Sequence, residues 1–96
     1  MLTEKLADLY AEQGKPSSAI LTYQAALKLN PSPEQYIRLR LALGEKLQAQ
    51  DRDAEAVENY RRLLEEAPEY LGKISISNKL ELLQQKVAET NPPTQP

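Results

Sequence analysis

The chain matches itself at a fixed offset, and that self-match restricts the available folds more than any other feature. With Ala19 laid on Ala56, an offset of 37 residues, Leu6 meets Leu43, Ala7 meets Gly44 and Tyr10 meets Leu47. Further along, Gln13 meets Gln50, Ile20 meets Val57, Tyr23 meets Tyr60, Leu27 meets Leu64 and Pro31 meets Pro68. Type and spacing agree together, so one structural unit is used twice. A unit of this length cannot bury its apolar face alone; it stacks on its neighbour as a piece of a solenoid.

The units are helical. Leu occurs 16 times and Ala 11 times, against six Ile and Val together. Leu and Ala lose little rotamer freedom in a helix, whereas β-branched residues are stiff at χ1. No stretch shows the alternation of a half-buried strand. The spacing predicts a first helix over Leu2–Gln13, with Leu2, Leu6, Leu9 and Tyr10 as its apolar stripe and Gly14 as its left-handed stop. A second runs from Pro16, at home in a first turn, to Leu29, with Ala19, Ile20, Tyr23, Ala26 and Leu27 inward. Ser32 caps a third over Glu34–Gln50, with Pro33 just inside. Its stripe includes Tyr36, Leu39, Leu43 and Leu47. A fourth spans Asp53–Glu66, with Asp53 placed to cap it, Glu55 to favour its dipole and Ala56, Val57, Tyr60, Leu63 and Leu64 inward. A fifth is predicted over Leu71–Glu89 from Leu80, Leu83 and Val87, with Ile74-Ser75-Ile76-Ser77 as a weak start that frays or kinks. The polar, Pro-rich segment 90–96 reads as a disordered tail.

Composition excludes several functions. A chain of 96 residues makes one domain and buries roughly 65% of its unfolded surface. Twelve Lys and Arg against fourteen Asp and Glu leave a net charge of −2, without the cationic excess that holds nucleic acid. There is no Cys, hence no disulfide or thiolate, and no His, the commonest general base and metal ligand. No run approaches the ~18 apolar residues of a membrane span. Gly14, Gly44 and Gly72 stand too far apart for a phosphate loop, Ser17, Ser18, Ser75 and Ser77 have no His, and Asp51-Arg52-Asp53 lacks the rest of a calcium loop. No catalysis, cofactor or metal is expected.

In this pattern the chain resembles the tetratricopeptide repeat family, whose order of aromatic, Leu, small residue, Tyr, Ala, aromatic, Ala and Pro runs over about 34 residues. The first unit supplies Leu6, Ala7, Tyr10, Ala19, Tyr23, Ala26 and Pro31, departing at Thr3. The second supplies Leu43, Gly44, Ala56, Tyr60 and Pro68, departing at Arg40, at Leu47 and at Leu63. The longer offset is taken up by Glu34-Gln35-Tyr36, nearly one extra turn on the third helix. The resemblance implies an all-α helical repeat over 1–89: units over about 1–33 and 34–70, then a capping helix over 71–89. Ala7 and Gly44 are expected to face Ala19 and Ala56 so that the backbones approach closely, while Tyr23 and Tyr60 fill the space toward the next unit.

In that family the first helix of each repeat lines a concave surface that holds an extended peptide or a partner helix. Carried over, the positions are Glu4, Asp8, Ala11 and Glu12, then Arg38, Leu41, Ala42, Glu45 and Gln48. Glu4, Asp8 and Glu12 lie at i, i+4 and i+8, on one helix face. They form an acidic stripe suited to a basic protein segment, to which Arg38 and Leu41 add a carboxylate contact and an apolar anchor. Chaperone-binding members hold a C-terminal carboxylate with Lys and Asn; Glu4, Asp8 and Ala42 stand in those places and argue against that ligand. The resemblance thus implies a protein-interaction module or scaffold. The alternative is a structural appendage packed permanently on a larger enzyme or membrane complex, because the N-terminal end of the stack is less protected than the C-terminal one. A homodimer through that N-terminal face is the other way to cover it. A cytoplasmic location is expected, or a periplasmic one if a leader has been removed.

Overall fold

The computed structural model describes residues 2–90, which form five helices and no strand. The helices are α1 (Leu2–Glu12), α2 (Pro16–Leu27), α3 (Pro33–Ala49), α4 (Asp53–Glu66) and α5 (Lys73–Thr90). Each packs on the one before it, giving an elongated stack of 46 × 32 × 21 Å. Of the tail expected over 90–96, Thr90 instead ends α5, and the remaining residues lie outside the described ones.

The stops and starts follow from local chemistry. Gly14 takes φ +74°, and the Lys15 N–H then donates to the Tyr10 carbonyl at 2.9 Å. The same turn recurs one offset later: Asp51 takes φ +57° and the Arg52 N–H reaches the Leu47 carbonyl at 2.8 Å. Asp is one of the few non-glycine residues that visit this region without a large penalty. Ser32 forms a full capping box, accepting from the Gln35 N–H while Gln35 Oε1 accepts from the Ser32 N–H. Asp53 does not cap α4. Arg52 occupies that position and no side chain caps it; Asp53 is the first helical residue, and its Oδ2 receives Lys86 of α5 at 3.1 Å. The carboxylate that reads as a cap instead ties two helices.

Burial confirms the small-residue seam, with Ala7, Ala19, Ala26 and Ala56 all 0% exposed. One expected neighbour changes. The atoms nearest to a side chain at Gly44 would be those of the Tyr60 ring, so Tyr60 closes its own unit. The segment Ile74–Ser77 is unbroken helix, because Ile76 is buried and anchors it at the head of a stripe continued by Leu80 and Leu83. The less protected N-terminal end expected of the stack is found at α1. Leu2, Leu6 and Leu9 are 85%, 44% and 47% exposed, and Ala7 is the helix's buried residue. Periodicity shows that a helix has an apolar face; it does not show that anything covers it.

A first expected result follows from the seam. Ala56→Leu and Ala19→Leu should each destabilise the fold by about 1–3 kcal/mol, since a closed contact cannot take three more carbons without displacing a helix. Thermal melts of either variant matching the parent would disprove close packing there.

Candidate partner-binding face

The residues predicted for the site lie on α1 and α3, and one contact between the two helices brings Glu4 and Arg38 together. Arg38 reaches from α3 to Glu4 on α1, with Nε and Nη2 each 3.0 Å from a carboxylate oxygen. This bidentate geometry is the strong form of an ion pair. The guanidinium holds the Glu4 carboxyl below the usual carboxylate range. Glu4 therefore stays charged as pH falls through that range, and the clasp is lost only at lower pH. Two residues read as ligand contacts are thus also a clasp between the two units.

Asp8 accepts the hydroxyl of Tyr23, a buried side chain on α2. Burial, followed by the bond to Asp8, pushes the Tyr23 hydroxyl up, so it remains a donor and fixes the Asp8 carboxylate. In the second unit Tyr60 donates to Gln48 Oε1 at 3.1 Å, and burial together with the Glu45 charge pushes its hydroxyl up to about 12. Glu45 is within electrostatic reach of both tyrosines. Each unit thereby directs one core tyrosine at the polar row on its first helix. Glu12 and Glu45 are exposed, while Leu41, Ala42 and Gln48 are half-buried. Among the predicted residues Glu4, Asp8, Glu12 and Glu45 are carboxylates and Arg38 is the one cation. Among the described residues only Glu4 of these four carboxylates is in an ion pair.

Sequence reasoning assigned Tyr23 and Tyr60 to packing and missed what their hydroxyls do. It also missed a polar cluster at the α3–α4 contact. Arg40 Nη1 donates to Asn59 Oδ1 at 3.1 Å, and Asn59 Nδ2 donates to the Arg40 carbonyl at 2.7 Å. The Arg40 guanidinium lies 5.3 Å from the Tyr36 ring centre, and Tyr36 donates to Glu66. The available signal was Arg40 itself, a charged departure at a repeat position that lies between helices. Surface depressions occur near this cluster, one lined by Gln24, Arg40, Glu55 and Asn59 and another by Leu27, Pro31, Tyr36 and Ala67. Neither of these two is lined by a residue of the α1/α3 row.

Residues 4–33 match the family model of the tetratricopeptide repeat, so the α1–α2 pair is similar to a repeat of that family. The α3–α4 pair repeats its turn, its small-residue seam and its buried tyrosine, and α5 completes an all-α helical repeat. Comparison with curated proteins and with solved structures finds no match. Repeats of this family generally mediate protein–protein interaction and are typically non-enzymatic. Among the described residues, no helix is long and apolar enough to cross a membrane.

Proposed function

We propose that this chain is an interaction module, not an enzyme, and that the α1/α3 face binds a protein segment of net positive charge. The observation that carries this reading is the charge of the row: four carboxylates and one guanidinium, with Asp8 fixed from beneath by a tyrosine. Glu12 and Glu45 supply the attraction that is not spent inside the protein. Arg38 keeps register, because its clasp with Glu4 leaves its outer edge half-exposed. Leu41 offers the apolar anchor beside it, and Gln48 a polar end point.

Exposed charges are screened over about 8–10 Å near physiological ionic strength, so binding should weaken with salt. The attraction acts more on association rate than on final affinity. The informative variants are Glu12→Lys and Glu45→Lys together. Reversal of Glu4 or Asp8 would also break a contact that holds the fold. The probe is a labelled Lys-rich helical peptide, compared with the same peptide carrying Glu at the Lys positions. The parent should bind the basic peptide and not the acidic one, and the double variant should lose about tenfold or more in affinity while keeping its helical spectrum. Equal binding by the parent and the folded double variant would show the row to be an ordinary solvated surface.

A further inference from the structure

The side of α3 turned away from the proposed face carries a second groove. Arg40 follows Arg38 by two residues, about 200° round a helix, so the two guanidiniums leave α3 on nearly opposite sides. α2 and α4 both pack on α3, and among the described residues they make no comparable contact with each other. α3 is therefore the floor of a channel whose walls are α2 and α4. Three depressions follow one another along it and share lining residues. Gln24 and Arg40 belong to the first and second, and Leu27 joins the second to the third. The channel is particular to the second unit, because the first has Thr3 and Thr22 where the second has Arg40 and Asn59.

The middle depression is lined by Gln24, Leu27, Lys28 and Arg40, two cations and no carboxylate. Lys28 is exposed and, among the described residues, in no ion pair. Arg40 is fixed from behind, with Nε donating to Tyr36 and Nη1 to Asn59. Its Nη2 has a Glu66 oxygen 3.8 Å away, too far for a hydrogen bond. An unfilled guanidinium donor beside an unpaired ammonium favours a carboxylate. The next depression, of about 360 Å³, is lined by Leu27, Pro31, Ile37 and Ala67, with Glu66 and Glu69 beside them. Those two carboxylates repel an anion, and the aliphatic wall accepts an uncharged side chain. Along α3, Arg40 stands three residues from Ile37 and four from Tyr36, a rise of about 4.5–6 Å. Two residues of an extended chain span about 6.6 Å and turn their side chains to one face. We propose that this channel docks an extended segment of another protein in which a carboxylate side chain lies two positions from an aliphatic one. The carboxylate sits on Lys28 and Arg40, and the aliphatic group against Leu27 and Ile37.

The test uses the isotope-labelled full chain and two unstructured peptides, Gly-Ser-Asp-Ser-Leu-Ser-Gly and the same peptide with Asp and Leu exchanged, because either chain direction meets the spacing. At least one should give saturable amide shifts at Lys28, Ile37, Arg40 and Ala67, and none at Glu12 or Glu45. Lys28→Glu should weaken that binding about tenfold. Lys28 is exposed and outside the Arg40–Asn59 contact, so this variant keeps its fold, which circular dichroism checks. Ser in place of Leu in the peptide should also cost about tenfold, and Lys in place of Asp should abolish binding. Absence of saturation by both peptides, shifts confined to the α1/α3 face, or equal binding by the folded Lys28→Glu variant overturns the proposal. So does equal binding of the peptide without Leu, since the channel would then hold an anion and no segment. Self-association of the parent that Lys28→Glu abolishes overturns it as well, because the channel would then belong to a second copy.

Discussion

Gly44→Leu is expected to abolish the folded state, and Gly44→Ala to weaken it. A Cβ built on Gly44 would lie 2.4 Å from Tyr60 Cζ and 2.5 Å from its hydroxyl oxygen, closer than carbon atoms pack. The ring has no room to swing aside. Tyr60 is 0% exposed, its hydroxyl is bonded to Gln48, and the Lys79 ammonium of α5 sits 5.4 Å from its ring centre. Alanine gains roughly 1 kcal/mol in helix propensity over glycine, which offsets part of an overpacking cost of about 1–3 kcal/mol. A melting temperature lower by several degrees is therefore expected for Gly44→Ala. For leucine the propensity gain is similar, but three further carbons must enter the same contact, and the far-ultraviolet spectrum should be that of an unfolded chain. Tyr60→Leu introduced with Gly44→Ala should cost less than the two single changes added together, because the clash belongs to the pair. A Gly44→Ala protein that melts at or above the parent would show that the ring yields.

That expectation depends on a neighbour that the sequence does not name. The offset of 37 shows that Gly44 and Ala7 hold equivalent places and that both are small. It does not show whether smallness accommodates an alanine or a tyrosine ring. Helix boundaries were legible because they depend on local chemistry: Pro16, Ser32 with Gln35, and Gly14 each act within a few residues. Asp53 misled for the same reason. A carboxylate before an apolar run looks like a cap, yet its partner is Lys86, which lies 33 residues further on in another helix. Long-range pairing leaves no periodic trace. The α1 leucines show the complementary limit, since an apolar stripe has the same pattern whether it is buried or bare. The candidate-site residues were readable from the family pattern as a proposal. Their internal contacts were not, because Arg38 with Glu4 and Tyr23 with Asp8 join different helices.

The second large effect is expected at Asn59. It is 3% exposed, and both ends of its amide are engaged by one residue: Oδ1 accepts from the Arg40 guanidinium and Nδ2 donates to the Arg40 carbonyl. Asn59→Leu keeps the volume and removes both contacts. The Arg40 carbonyl loses its side-chain donor, and a guanidinium whose side chain is only 15% exposed loses an acceptor. A buried polar group left without its partner costs about 1–3 kcal/mol, more when it is charged. About 3 kcal/mol is therefore expected from urea unfolding. Glu66→Gln also touches this cluster, but its ion pair with Arg40 spans 3.8 Å and the Glu66 side chain is half-exposed, so a loss below about 1 kcal/mol is expected there. If Arg40 is replaced by Leu in the Asn59→Leu protein, the penalty should shrink, because the guanidinium then leaves together with its acceptor and only the backbone carbonyl of position 40 stays without its side-chain donor. Equal stability of the Asn59→Leu and parent proteins would mean that water reaches Arg40. An unshrunken penalty in the double variant would place the cost in packing instead of in the unpaired charge.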